Sequence, residues 1–349
     1  MRPSLAFLTC MKKSLVLIFG VIVFLITFDL AFSAEVKNLD KIGEIGPVIS
    51  KEKDLYFWQI TDIACDDEGN LYVADSGWNK IFKFNARGEF LFSFGQEGQG
   101  PGEFLGQPHA YHLKLGVGKN KLIYILDRGN RRISLFDDKG QWIKSFPLPK
   151  NITGNPAINS RGYFYFINSD RKVGKVITCL DHNFHHVQNF LEAEWPFHFP
   201  FYKPDKEFYE VFFPDSLIIM ITQADELVAF SNYSLEVYHF DRNHRLKNRF
   251  SVINDYFKED FKSHLKKAIA YGGIAIPLWA FLDPEDNLCL IYPKKSNKRH
   301  EIYRYDLKGK LVDLILCPEE KTRKVSCMNR EGTLFIILEA DRIGLYKIS

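Results

Sequence analysis

Residues 63–84 read IACDDEGNLYVADSGWNKIFKF. Three short apolar runs are separated by an acidic turn that contains Gly69 and by a second turn, opened by Asp75, that contains Gly77. A fourth apolar run follows at residues 90–94. Aromatic and β-branched runs of this length favour strands, while Asp, Asn and Gly favour the tight turns between them. The stretch therefore predicts four consecutive antiparallel strands.

The same pattern returns along the chain. Residues 123–136 read IYILDRGNRRISLF, and Asp127 in this stretch corresponds to Asp75 in the first. Weaker copies occupy residues 162–190, 217–250, 279–316 and 325–346. Four short strands per unit, repeated along a chain, are typical of a β-propeller in which each unit forms one blade. Six units therefore predict six blades.

The two ends of the sequence predict how the propeller closes. The sixth unit reaches Ser349 with one strand fewer than the others, and residues 41–46, KIGEIG, resemble the strand that ends the first unit. An N-terminal strand that completes the last blade hides an otherwise exposed sheet edge. We therefore expect an all-β, six-bladed β-propeller closed by its N-terminal strand.

These repeats resemble the NHL-repeat family of six-bladed β-propellers. The resemblance rests on Gly69–Ile81 and Lys121–Ile133, and the link Gly95–Phe104 is similar to a glycine-rich connection in exported bacterial members. The resemblance implies the propeller fold and a binding role. By itself it implies no enzymatic activity, since one fold serves many functions.

The first 33 residues have the composition of an export signal. Lys12 and Lys13 precede an apolar run from Leu15 to Phe28, and small residues precede Ala34. The run is shorter than the roughly 20 residues that span a bilayer, which favours a cleaved leader over an N-terminal anchor.

We therefore expect residues 1–33 to be a signal peptide and residues 34–349 to form the propeller of a periplasmic or secreted protein. The alternative is an uncleaved N-terminal segment, which would then be the protein's contact with the membrane.

The net charge and the cysteine spacing bear on the possible partners and on metal binding. The chain has 46 basic and 43 acidic residues, and removal of residues 1–33 leaves 43 basic and 42 acidic residues. A net charge this close to zero argues against a nucleic-acid partner. Five of the six cysteines follow the expected cleavage site, with no metal-binding or regular spacing among them. Cys65, Cys179, Cys289 and Cys327 lie in apolar runs, so we expect buried free thiols. The alternative is one disulfide, whose partners stay open.

The acidic residues of the repeats are interpreted as turn residues rather than as catalytic groups. Asp75 and Asp127 each precede a glycine by two residues, so their carboxylates are expected to cap the turns while Gly77 and Gly129 adopt positive φ. Residues 66–70 lack the alternating acids of a calcium loop, and we expect a hairpin turn there.

In a propeller, the loops between second and third strands share one face with the connections between blades; we call it the connection face. Trp78 and Arg128 lie in such loops, and Trp195, Phe199 and Tyr202 lie in a long connection. We expect these five residues to bind a ligand, because aromatic rings stack on sugars, peptides and protein partners. The alternative is that the aromatic connection folds over the channel as a buried plug.

A second long connection, between the fourth and fifth blades, predicts one helix. Phe257, Phe261, Leu265 and Ala268 recur at helical spacing within Asp255–Tyr271. This spacing is typical of an amphipathic helix lying on the connection face.

The axial channel suggests a rival, enzymatic interpretation. Some relatives with this fold, the peptide-amidating lyases, are zinc enzymes in which a histidine opens the innermost strand of several blades. His109 stands in such a position, with Thr61 and Asp62 expected nearby, but the matching positions of the other blades hold no histidine. One imidazole does not build a three-imidazole zinc site, so we predict no metal and no other cofactor.

The sequence thus predicts an exported, non-catalytic β-propeller that binds a protein, peptide or glycan on its connection face. The alternative is a metal-dependent hydrolase or lyase that acts at the axial channel.

Overall fold

The structure is a computed structural model, and it describes residues 34–50, 55–106, 112–118, 120–168, 175–192, 217–232, 234–252, 279–293, 300–318 and 326–349. Every strand or helix assigned in these ranges is a β-strand. The described ranges accordingly contain no helix that could span a membrane. The predicted leader, residues 1–33, and the predicted helix, Asp255–Tyr271, lie outside the described residues.

The strands follow the repeats. The N-terminal and first-repeat strands are β1 (Glu35–Ile45), β2 (Val48–Ser50), β3 (Leu55–Tyr56), β4 (Ile60–Cys65), β5 (Leu71–Asp75), β6 (Lys80–Phe84) and β7 (Phe90–Phe94). The next two repeats form β8 (Lys114–Val117), β9 (Ile123–Asp127), β10 (Arg132–Phe136), β11 (Trp142–Pro147), β12 (Ile152–Ile158), β13 (Phe164–Asn168), β14 (Lys175–Leu180) and β15 (His186–Glu192). The remainder form β16 (Leu217–Ile221), β17 (Leu227–Ser231), β18 (Glu236–Phe240), β19 (Leu246–Ser251), β20 (Trp279–Leu282), β21 (Leu288–Pro293), β22 (His300–Tyr305), β23 (Leu311–Leu316), β24 (Ser326–Met328), β25 (Leu334–Glu339) and β26 (Arg342–Ile348).

Four antiparallel sheets of four strands each are separate from one another: β4–β7, β8–β11, β12–β15 and β16–β19. In each of them a strand pairs with the next one along the chain, as the repeats predict. The remaining long sheet has eight strands in the order β20-β21-β22-β23-β1-β26-β25-β24. Strands β2 and β3 form a small separate hairpin.

The N-terminal strand joins the C-terminal one. β1 pairs antiparallel with β26, so that Lys41 lies opposite Tyr346 and Ile45 lies opposite Ile343. The predicted pairing of the two ends of the propeller is therefore confirmed. It covers an edge of β26 that would otherwise offer unpaired backbone groups to another chain.

Six strands surround a common axis, and we call β4, β8, β12, β16, β20 and β24 the axial strands. Each axial strand contacts the next one in chain order, and β24 contacts β4. The contacts therefore run through all six axial strands and return to the first. Antiparallel sheets arranged in this way around a central channel form a β-propeller.

Apolar side chains fill the space between neighbouring sheets. Phe82 and Phe84 on β6 pack in one cluster with Phe335 and Ile337 on β25, and all four are at most 2% exposed. Complete burial of such a side chain contributes roughly 1.5–3 kcal/mol to folding. The core thus lies between the sheets, and it also holds the first repeat against the C-terminal strands.

The loops on the face opposite the connections repeat one turn. The side chain of Asp66 accepts hydrogen bonds from the backbone N–H groups of Glu68 (3.0 Å) and Asn70 (2.8 Å). The same two bonds, to the residues two and four positions on, recur at Asn85, Asp137, Asn159, Asp181, Asp241, Asp283 and Asp306. The prediction of a hairpin turn at residues 66–70 is confirmed, and Asp or Asn recurs because its side chain caps the turn.

Candidate binding face and axial cavity

Three aromatic residues form a cluster on the connection face. The Trp78 ring meets Tyr56 edge-on with centroids 5.1 Å apart, and it meets Trp58 at 5.4 Å. Tyr56 is 43% exposed and Trp58 is 54% exposed, whereas Trp78 is half-buried and packs against the core. We call Tyr56, Trp58 and Trp78 the aromatic cluster.

Backbone hydrogen bonds hold this cluster in place. The Asp75 carboxylate, at the end of β5, accepts N–H bonds from Trp58 (2.7 Å) and Gln59 (3.0 Å). It also accepts N–H bonds from Gly77 (2.9 Å) and Trp78 (3.1 Å). The indole N–H of Trp78 donates to the carbonyl oxygen of Tyr56 at 3.0 Å. One buried carboxylate therefore ties together the two chain segments that carry the cluster, and its predicted role as a turn cap is confirmed.

The second repeat builds the same turn around a different segment. Asp127 accepts hydrogen bonds from the backbone N–H of Asn130 (3.2 Å), from its side-chain amide (2.7 Å) and from the backbone N–H of Leu105 (3.3 Å). Arg128 is partly exposed, and its guanidinium donates to the carbonyl oxygen of Gly154 at 3.2 Å. The predicted ligand residue Arg128 thus already bonds the neighbouring sheet.

The glycine-rich link between the first two sheets is folded onto the second. Arg132 donates to the carbonyl oxygens of Gln99, Gly100 and Glu103, each at 2.8 Å. Phe104 is fully buried against the Phe136 ring. This part of the connection face is consequently a fixed surface rather than a loose loop.

The glycines of the two turns do not adopt the backbone conformation that we expected. Neither Gly77 nor Gly129 has positive φ; Asn79 (φ 53°) and Arg131 (φ 51°) do instead. The glycines are needed for close approach: a Cβ at Gly129 would overlap the carbonyl oxygen of Leu105, and a Cβ at Gly77 would lie 2.6 Å from the Trp58 ring. The expectation of positive φ was therefore wrong, because the left-handed residue lies two positions after each glycine. Glycine is needed instead because a segment distant in sequence approaches it closely.

The axial strands enclose a cavity of about 560 Å³. Its wall is mixed, because apolar side chains such as Leu115 and Ile219 lie beside charged side chains such as Asp62 and Lys114. Tyr124 also lines the cavity, but its hydroxyl donates to the carbonyl oxygen of Pro156 at 2.7 Å. A wall of this composition offers a ligand both apolar surface and charged groups.

Two of the predicted channel residues are described, and they differ in placement. Asp62 lines the cavity; its carboxylate accepts the Leu115 backbone N–H at 3.0 Å, and the Lys114 ammonium lies 3.9 Å away. Burial raises the pKa of the Asp62 carboxyl, while Lys114 acts in the opposite direction. The Thr61 hydroxyl instead bonds the Ser76 hydroxyl at 2.8 Å and the Leu113 carbonyl oxygen at 3.0 Å. Both side chains therefore join the first sheet to the segment that enters the second.

The carboxylates at the loop end of the cavity are held by neighbouring residues. Asp66 and Asp283 cap their own turns, and Asp67 pairs with Arg330 at 3.1 Å. Within the described ranges, no three His, Cys, Asp or Glu side chains are grouped so that they could hold a metal ion.

The other predicted site residues, Trp195, Phe199, Tyr202 and His109, lie outside the described residues, and their roles stay predictions. Tyr56 and Trp58 were not predicted from the sequence. The sequence does carry a signal for them, since Tyr56, Phe57 and Trp58 form an aromatic run shortly before β4 and side chains of an extended segment alternate in direction. In the structure Phe57 is 3% exposed, and its two neighbours face outward. The outward-facing members of such a triplet are candidates for surface recognition.

The fold and this surface define the class of protein: a β-propeller with an aromatic connection face. A family model described as a 6-bladed beta-propeller matches residues 50–303, well over half of the chain. The chain therefore belongs to this six-bladed β-propeller family.

The resemblance to NHL repeats is confirmed as well. The human (Homo sapiens) NHL repeat-containing protein 3 is 28% identical to this chain over 123 residues, which cover 32% of this chain and 34% of that protein. The match thus spans about a third of the length of this curated relative.

Solved structures share the fold at low sequence identity. A Bacteroides vulgatus protein has a TM-score of 0.57 at 11% identity, covering 91% of this chain and 99% of that one. A Bacteroides fragilis protein described as exported has a TM-score of 0.56 at 13% identity, covering 90% and 99%. A streptogramin B lyase has a TM-score of 0.50 at 14% identity, covering 90% and 98%. At these identities the likeness shows the fold alone.

Proposed function

We propose that this protein is an exported, non-catalytic scaffold that binds a protein, peptide or glycan through its connection face. The observation that carries the proposal is the aromatic cluster, in which Tyr56 and Trp58 expose large ring surfaces beside the partly buried Trp78. Exposed aromatic rings supply much contact area with few rotatable bonds, and they dominate many binding surfaces.

The fixed geometry of the cluster supports binding. The four N–H bonds to Asp75 and the indole bond of Trp78 hold the backbone of the cluster before a ligand arrives. Less conformational entropy is then lost on binding, so more of the contact energy contributes to affinity.

The same proposal includes the number of blades and the destination. The eight-stranded sheet consists of β20–β23 followed by β1 with β24–β26, which are two further sets of four strands. We interpret them as the fifth and sixth blades, in agreement with the six contacting axial strands. Export is supported by the leader-like residues 1–33 and by the fold shared with a protein described as exported.

The test compares two faces of the propeller. Purified protein is screened against arrays of glycans and of peptides, and the affinity of each hit is measured for Tyr56→Ala, Trp58→Ala and the control Trp142→Ala. Trp142 is a suitable control because it is 41% exposed and begins β11, beside the loops of the opposite face.

We expect Trp58→Ala and Tyr56→Ala to weaken binding at least about tenfold, since loss of an aromatic anchor typically costs 2 kcal/mol or more. Trp142→Ala should bind as the unchanged protein does, and all three variants should keep the unfolding midpoint within a few degrees. Hits whose affinity is insensitive to both cluster substitutions would count against the proposed face.

A further inference from the structure

Two cysteines from opposite ends of the propeller meet at its axis. Cys65 ends β4 and Cys327 lies in β24, two axial strands that contact each other, and the Cys65 thiol is close enough to raise the pKa of the Cys327 thiol. Both line the axial cavity and are half-buried, whereas the three other described cysteines, Cys179, Cys289 and Cys317, are buried. The pair is therefore both close together and open to small reagents.

The two thiols lie at the seam where the first repeat meets the C-terminal strands. Arg330 pairs with Asp67 across this seam at 3.1 Å, and the Asn329 side-chain amide approaches the carbonyl oxygen of Gly69 at 3.5 Å. Both cysteines also pack against the apolar cluster formed by the first sheet and β25–β26. These contacts hold the two segments that carry the thiols next to each other.

We propose that Cys65 and Cys327 form a disulfide that covalently joins the first sheet to the sheet containing β24 when the protein is in an oxidising compartment. The two thiols together lose two protons and two electrons, and a disulfide oxidant such as glutathione disulfide accepts them and becomes two thiols. One S–S bond forms between Cys65 and Cys327, and the S–S bond of the oxidant breaks.

The disulfide would strengthen the contact between the first sheet and the C-terminal strands, on which closure of the propeller depends. Because residues 65 and 327 are far apart in sequence, a crosslink between them removes much of the freedom of the unfolded chain. Burial raises the pKa of the Cys327 thiol, and the adjacent Cys65 thiol raises it further. The reactive thiolate is thus scarce at neutral pH, so oxidation should accelerate as the pH rises.

The direct test is peptide mapping without reduction. Trypsin cuts after Lys53, Lys80, Lys324 and Arg330, so the two cysteines fall in separate peptides, residues 54–80 and 325–330. After incubation with glutathione disulfide and blocking of free thiols, we expect one linked species of these two peptides, two hydrogen atoms lighter than their sum. Separate peptides, each blocked or each carrying glutathione, would overturn the proposal.

A stability measurement distinguishes a native bond from an accidental one. Oxidation should raise the thermal-unfolding midpoint by about 5–10 °C in the unchanged protein. Cys65→Ser and Cys327→Ser should abolish this difference, while the control Cys289→Ala, at a buried cysteine away from the seam, should retain it. A linked species with an unchanged or lower midpoint would show a strained, non-native bond and would also overturn the proposal.

Discussion

The turn between β5 and β6 and the turn between β9 and β10 share one sequence pattern and serve different surfaces. Asp75 and Asp127 each accept the backbone N–H of the residue three positions on, and Asn79 and Arg131 adopt the same left-handed conformation. The first turn nevertheless carries an exposed aromatic cluster, while the second anchors a glycine-rich link. The comparison shows that the repeat motif determines the turn, whereas the segment brought against it determines the surface.

Replacement of the two aspartates should produce the largest difference in stability between the two turns. Asp75→Ala leaves four buried or partly buried backbone N–H groups without their acceptor, and we expect it to destabilise the protein by about 3 kcal/mol or more. Asp127→Ala removes two longer backbone bonds, the Asn130 side-chain bond and the Arg132 contact at 3.6 Å. It should cost roughly 1 kcal/mol less, because the Asn130 and Arg132 side chains keep backbone carbonyl acceptors in the glycine-rich link. Urea unfolding of the two variants measures both losses of stability. Equal losses would show that the four backbone hydrogen bonds to Asp75 contribute no more than the bonds to Asp127.

A second pair of variants tests the crowding of the two glycines. Gly129→Ala places a methyl group against the Leu105 backbone, which cannot move without disturbing the link, so we expect a loss of about 1–3 kcal/mol. Gly77→Ala brings a methyl group within 2.6 Å of the Trp58 ring and 2.9 Å of its Cβ, a milder overlap than the 1.9 Å at Gly129, so its effect should be smaller. The comparison uses thermal unfolding, and a larger loss for Gly77→Ala would contradict this explanation.

The smallest expected effect concerns Asp62, which joins the two repeats through the Leu115 backbone. Because burial raises its pKa in the folded protein, its contribution to stability is present below the ordinary carboxyl pKa and is lost as the pH rises through the raised value. Asp62→Asn keeps an acceptor for Leu115 but cannot ionise.

The stability of Asp62→Asn relative to the unchanged protein should therefore increase between pH 4 and pH 7. Denaturant unfolding at the two pH values measures it. A relative stability that falls with rising pH would mean that the Lys114 ion pair outweighs desolvation.

Much of the fold was predictable because the pattern that specifies it is local. The alternation of apolar runs with Asp, Asn and Gly turns predicted β4–β7, and the missing strand of the last unit predicted the pairing of β1 with β26. The candidate site was less predictable. Trp78 was predicted from its loop. Tyr56 and Trp58 form an aromatic run with Phe57 before the repeat, but the sequence does not show that this run meets Trp78.

The sequence by itself determined the repeating strands, the capped turns and the closure of the circle, since each depends on residues close together in the chain or on a repeated pattern. Tertiary structure alone decided which distant groups meet: Cys65 with Cys327, Asp75 with Trp58, and Gly129 with Leu105. The physical reason is that a local pattern sets backbone conformation through short-range sterics and hydrogen bonds. Contacts between segments depend instead on how whole sheets pack around the axis.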